Sequence, residues 1–162
     1  MGTVYIKNQE QLRKVLQSYV ASALEKTQKE IYDVIQESIN EYYREYTPSV
    51  YQRTYKFLNS LVKPKVEIDG DTITCEVKLD EEYLRYHYPG NPSWKGNVPA
   101  TGQDVASWAN RDVPGAGNHG YTVDEGRDIG FWDEGLQTLG GEIGIIRILV
   151  NNLEKRGLKV AN

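Results

Sequence analysis

Between Asn8 and Tyr46 the chain has no glycine or proline, and apolar or aromatic side chains recur at steps of three and four. They are Leu12, Val15, Leu16, Tyr19, Val20, Ala23, Leu24, Ile31, Ile35, Ile39, Tyr42 and Tyr46. This spacing places them on one stripe of a single helix over residues 8–46, roughly 55 Å long at about 1.5 Å per residue. Asn8 followed by Gln11 reads as a capping pair at its start. A helix of that length exceeds what a 162-residue chain needs to close one core, so part of its stripe is expected to be covered by another subunit. The alternative is a break near Thr27, where polar residues thin the stripe and two shorter helices would result.

Pro48 disfavours helical geometry at Thr47 but suits the first turn of a new helix with Thr47 as N-cap. Val50, Tyr51, Thr54, Phe57, Leu58 and Leu61 then carry a second helical period to about Val62, closed by Pro64. A β-hairpin follows. Val66-Glu67-Ile68 leads into Asp69-Gly70, a favoured tight-turn pair, and Ile73, Cys75, Val77 and Leu79 alternate with Thr72, Thr74, Glu76 and Lys78. Two strands alone are marginal, so either Tyr83–Tyr88 adds a third or a neighbouring subunit does. Residues 89–141 hold most of the 15 glycines and four of the six prolines and read as a loop-rich insertion. From Glu142 to about Arg156, Ile143, Ile146, Leu149, Val150 and Leu153 repeat on one face of a closing helix, with Gly157 as its C-cap. The expected class is α+β in a single domain over 1–162: helical over 8–62, antiparallel hairpin or small sheet over 65–88, Gly-rich loop over 89–141, and C-terminal helix over 142–157.

Charge and cysteine content narrow the function. The net charge of −4 is uneven: residues 1–65 carry ten basic and seven acidic groups, residues 66–140 five basic and 14 acidic. An acidic middle is ill-suited to gripping phosphates, which argues against sequence-specific DNA binding. The one cysteine, Cys75, has no partner for an intrachain disulfide and lies among apolar and acidic neighbours, so it reads as a small buried hydrophobe made in a reducing compartment. The first residues lack a basic-then-apolar leader, and the apolar run Ile143–Val150 is too short to span a bilayer, so no membrane association is expected.

Candidate chemistry is sparse. His87 and His119 sit in different segments, neither with a carboxylate or cysteine at metal-ligand spacing. Gly115–Tyr121 lacks the lysine and the strand-to-helix context of a phosphate loop. The acidic groups Asp80-Glu81-Glu82 and Asp124, Glu125 and Asp128, with Trp94 and Trp108 to stack on sugar rings, leave open a carbohydrate-directed enzyme or binding module. The expectation is no catalytic residue, no metal and no cofactor. The tyrosines are more informative: Tyr42, Tyr43, Tyr46, Tyr51 and Tyr55 crowd the corner after the first helix around Arg53, which suits a half-buried junction or a protein interface. With Trp94, Trp108 and Trp132, the residues Tyr42, Tyr43, Tyr46, Tyr51 and Arg53 form the candidate interface set.

The string Tyr42-Tyr43-Arg44-Glu45-Tyr46-Thr47-Pro48-Ser49-Val50-Tyr51-Gln52-Arg53-Thr54-Tyr55, with the long preceding helix, the hairpin and the closing Leu153-Glu154-Lys155-Arg156-Gly157-Leu158, resembles minor structural proteins of tailed bacteriophages and prophages. The similarity is to the head-tail connector and tail-completion family. It implies a non-enzymatic protein made in the host cytoplasm and carried into the virion, forming a ring at the neck around the DNA channel. Its partners would be copies of itself and portal, connector or tail proteins, with only non-specific proximity to packaged DNA. A phage effector that binds a host protein is a further alternative.

Overall fold

The computed structural model describes residues 6–45, 55–84 and 130–159. In chain order the elements are α1 (Gln9–Glu45), β1 (Leu61–Val62), β2 (Glu67–Asp69), β3 (Thr72–Thr74), β4 (Lys78–Leu79), α2 (Glu81–Leu84), α3 (Phe131–Thr138) and α4 (Gly141–Glu154). The class is α+β, with a long N-terminal helix, short antiparallel strand pairs and C-terminal helices.

Helix α1 starts at the expected cap. Asn8 Oδ1 accepts the Gln11 N–H at 2.9 Å, which satisfies a donor that the first turn cannot pair internally, and Gln11 Oε1 reaches back to accept the Lys7 N–H, just before the cap, at 2.9 Å. The helix runs through Thr27 without a break. The polar residues that thin the stripe there are buried and used: Thr27 donates its hydroxyl to the Ala23 carbonyl at 3.0 Å, and Gln28 is also buried.

The second expected helix is not present over residues 55–62, while its first half lies outside the described residues. Tyr55 has φ 55°, the left-handed region that an aromatic residue rarely adopts. A tight turn over 56–59 then leads into strand β1. Ser60 closes that turn by donating both its N–H and its hydroxyl to the Phe57 carbonyl, and the apolar spacing read as helical serves to drop Phe57 and Leu61 into the core.

The hairpin is interrupted where one continuous pair of strands was expected. β2 and β3 pair Glu67 with Thr74, Ile68 with Ile73 and Asp69 with Thr72, while β1 and β4 pair Leu61 with Leu79 and Val62 with Lys78. Between the two ladders, residues 63–66 face residues 75–77. The first arm thus carries one extra residue, a bulge that shifts register at Pro64, which has no N–H to donate. The turn also sits one residue later than expected, on Gly70-Asp71. Gly70 has φ 58°, a value suited to the first position of a type II′ turn. After β4, Asp80 caps the single turn α2 through its Oδ1 to the Glu82 N–H at 3.0 Å, so Tyr83 and Leu84 are helical and not the start of a third strand. Residues 85–88 lie outside the described residues.

Residues 131–141 were assigned to the loop-rich insertion, but they form α3 and the start of α4. The glycines there serve close packing. Gly135 lies against α1, where an added Cβ would overlap Ile35 Cδ1 and come within 3.4 Å of the Ile35 Cα. Gly140 (φ 80°) and Gly141 (φ 65°) make the corner between α3 and α4, and a Cβ on Gly144 would overlap the Leu139 carbonyl. The end of α4 is a Schellman cap, as Gly157 suggested: the Leu158 N–H reaches the Leu153 carbonyl at 3.1 Å and the Gly157 N–H reaches the Glu154 carbonyl at 2.8 Å.

The core sits at the C-terminal half of α1. Ile35, Ile39, Phe57, Leu61, Leu84 and Phe131 form one buried cluster, with Tyr32, Leu58, Val77, Leu79 and Trp132 packed around it. Phe131 meets Phe57 edge-on, ring centroids 5.0 Å apart at 84°. Burying such a side chain contributes about 1.5–3 kcal/mol, and the edge-to-face geometry adds about 1 kcal/mol.

Candidate interaction surface

Three glutamines on α1 hold the hairpin along the helix. Gln36 donates to the Leu58 carbonyl at 3.4 Å, Gln28 to both the Pro64 and Glu76 carbonyls at 2.7 and 2.8 Å, and Gln17 to the Gly70 carbonyl at 2.7 Å. Descending numbers on α1 meet ascending numbers on the outgoing arm, so that arm runs antiparallel to the helix and the turn hangs beside α1's N-terminal half. At the bulge, where the ladder is broken, both amide protons of Gln28 are spent on carbonyls from opposite arms. At the tip, Arg13 Nε pairs with Asp71 Oδ1 at 2.7 Å. This exposed pair adds little stability but fixes the turn against the helix.

Between α1 and the hairpin tip lies an open trough of about 690 Å³, floored by Leu12, Leu16, Val20 and Ile73 and rimmed by Arg13 and Asp71. Leu12, Leu16 and Tyr19 stand one helical turn apart with 41%, 39% and 36% of their surface exposed. This is the stripe expected to be in surplus on an over-long helix. Nearby Lys14 pairs with Glu10 at 2.9 Å, and its hydrogen bond and charge hold the Glu10 carboxyl below the usual carboxylate range.

A second apolar surface was misassigned from sequence. Asn152 of α4 is buried, and its amide donates to Thr27 Oγ1 at 3.2 Å and Glu30 Oε1 at 3.0 Å on α1. Ile143 and Ile146 instead point outward, 66% and 52% exposed. The side of α4 that meets α1 carries Asn152, whose polar partners on α1 are the residues that thinned the stripe. Polarity is therefore inverted at both ends of α4: an amide inside, isoleucines outside.

Of the candidate interface residues, Trp132 is half-buried, packs against the core and meets Phe131 edge-on at 6.3 Å. Tyr42 and Tyr43 lie on the last turn of α1, their side chains outside the described set. Tyr46, Tyr51, Arg53, Trp94 and Trp108 lie outside the described residues, as do His87, His119, Asp124, Glu125 and Asp128. Asp80 is engaged as the cap of α2. Cys75 is half-buried, less than expected, and burial pushes its thiol up. Among the described residues no group of three or more His, Cys, Asp or Glu side chains is placed to hold a metal ion, and no helix is long and apolar enough to cross a membrane.

The family model for YomN matches residues 8–155. The chain belongs to the YomN family. YomN is a Bacillus phage-derived, prophage-like family, so this is a phage-associated protein. No curated protein and no solved structure matches the chain. The YomN match begins at the N-cap of α1 and ends at the C-cap of α4, and both exposed apolar surfaces fall within it.

Proposed function

We propose that this YomN-family chain is a non-enzymatic structural protein of a phage particle, of the head-tail connector or tail-completion type, assembling as a ring at the virion neck. The observation that carries the reading is the apolar stripe Leu12, Leu16 and Tyr19, left exposed where α1 runs past the end of α4. An exposed apolar surface with a polar rim is characteristic of protein contact sites. The resemblance in residues 42–55 and 153–158 supports the neck reading, and the YomN match supports the phage association. Synthesis in the host cytoplasm, portal and tail proteins as partners, and proximity to packaged DNA belong to the same proposal. The carbohydrate-directed alternative depends on Trp94, Trp108 and acidic side chains of which the described residues include only the cap Asp80 and its neighbours, so no structural observation favours it.

Mass spectrometry of purified particles, with gold labelling in electron micrographs, tests the proposal. The expected result is a fixed copy number located between head and tail, and unjoined heads and tails when the gene is deleted. Particles that lack the protein, or that join normally without it, refute it.

A further inference from the structure

The bulge divides the hairpin into two parts held by different forces. Below it, Leu61 of β1 is buried in the core, and Val77 and Leu79 of the returning arm pack around that core. Beyond it no side chain from Lys65 to Cys75 is buried: Val66, Ile73 and Cys75 are half-covered and the rest are exposed. None of them belongs to the core cluster. Burial of apolar area is the main force that ties an element into the cooperative unit, so a segment without it opens at a cost set by its few remaining contacts.

Those contacts are weak. Among the described residues α1 holds the tip by one neutral hydrogen bond, from Gln17 to the Gly70 carbonyl, and by one ion pair, Arg13 to Asp71, whose side chains are 49% and 85% exposed. Water and salt screen a pair so exposed. Ile73 lines the trough with Leu16 and Val20 but is itself only half-covered. The bulge supplies the pivot: one ladder ends at the pair Val62 and Lys78, and the other begins at Glu67 and Thr74. At its two sides the Pro64 and Glu76 carbonyls are both held by Gln28, which pins the bulge to α1 and leaves the tip to its own two bonds.

We propose that residues 65–75 form a strap that opens from α1 about the pinned bulge while the core stays folded. Closed, the strap lays Ile73 beside Val20 on the α1 stripe; open, it uncovers Val20 next to the already exposed Leu16. The apolar surface that α1 presents is then governed by the Gln17 and Arg13 contacts and not by the core. The strap is a property of the fold and does not depend on where the protein sits in a particle.

Amide hydrogen exchange of the full chain under native conditions, read by mass spectrometry of its peptides, separates such an opening from global unfolding. The freed tip is a two-stranded hairpin too small to hold its own ladder, so its amides exchange once it leaves α1. Gln17→Ala removes the donor to Gly70 and touches no core residue. It should speed exchange of residues 67–74 about fivefold, the factor that one neutral hydrogen bond gives, while residues 31–39 of α1 exchange as in the wild type. Phe57→Leu, which thins the core, should do the reverse: faster exchange at 31–39 and none of that change at 67–74. If Phe57→Leu does not fold, the wild type in urea below its unfolding midpoint serves instead. Exchange of the strap should then stay nearly flat with urea while that of the core climbs, because the strap opening exposes little surface. Three results overturn the strap: exchange at 67–74 that Gln17→Ala leaves unchanged, equal acceleration of strap and core by Gln17→Ala, or strap exchange that follows the core in Phe57→Leu or in urea.

Discussion

Gln28 is the one of the three joining glutamines that bonds both arms of the hairpin, and its replacement can be worked through quantitatively. Methionine at this position preserves the length of the side chain but removes both amide protons, leaving the Pro64 and Glu76 carbonyls without the donor they have at 2.7 and 2.8 Å. Each neutral hydrogen bond contributes about 1 kcal/mol net, and a buried acceptor left unpaired costs about 1–3 kcal/mol. Both bonds are partly buried, so water reaches some of the exposed carbonyl surface and the expected loss lies toward the lower end, about 2–4 kcal/mol for Gln28→Met. Set against a total stability of about 5–15 kcal/mol, that moves a urea midpoint by about 1–2 M. Gln28→Glu adds a pH signature. A carboxylate facing two carbonyl oxygens in a buried site favours its protonated form, so the folded-state pKa is raised. Stability from the protonated acid is then fully present below the unfolded glutamate value, near 4.3, and is lost as pH rises through the folded value. Urea titrations of wild type, Gln28→Met and Gln28→Glu at about pH 4 and about pH 7 measure both effects. A Gln28→Met loss under about 0.5 kcal/mol, or a Gln28→Glu penalty that does not grow with pH, would refute the clamp.

Gly144→Ala runs against helix propensity. Alanine should gain about 1 kcal/mol in a helix, yet its Cβ would overlap the Leu139 carbonyl, so a net loss of about 2–4 kcal/mol is expected by thermal or denaturant unfolding. Gly141→Ala, with open space around the added carbon but φ 65°, should lose only about 1–2 kcal/mol; equal losses at the two positions would contradict the close approach. At Cys75, burial raises the thiol pKa, so the stability it contributes is full below the unfolded thiol value near 8.5 and falls as pH rises through the folded value. Iodoacetamide at about pH 8 should modify the folded chain several-fold more slowly than the urea-unfolded chain, and equal rates would count against that burial.

Much of the local structure was legible because it depends on neighbours in sequence. The cap at Asn8 and Gln11, the unbroken helix to residue 45, the turn near Gly70 and the Schellman end at Gly157 each rest on bonds spanning a few residues, and composition there is decisive. The misreadings share one cause. Val50 to Leu61 carry a helical spacing, but Phe57 and Leu61 are placed by contact with Ile35, Ile39 and Phe131, and the chain takes a turn and a strand to reach them. The glycines of 130–141 read as loop because a glycine's use as a packing surface is visible only when its neighbour is known. Trp132, named in the interface set, is half-buried beside Phe131 at the edge of the core, and its interface role stands as an expectation.

The sequence by itself determined the α+β class, the length of α1 and the existence of surplus apolar surface on it, because periodicity and capping are encoded residue by residue. Only the tertiary structure decided which part of that surface stays open. α4 is docked on α1 through one buried amide, Asn152, finding Thr27 and Glu30, after a corner made by Gly140 and Gly141. That docking stops α4 short of Tyr19 and turns Ile143 and Ile146 outward. The docking of α4 depends on contacts between residues more than a hundred positions apart, which no local pattern specifies.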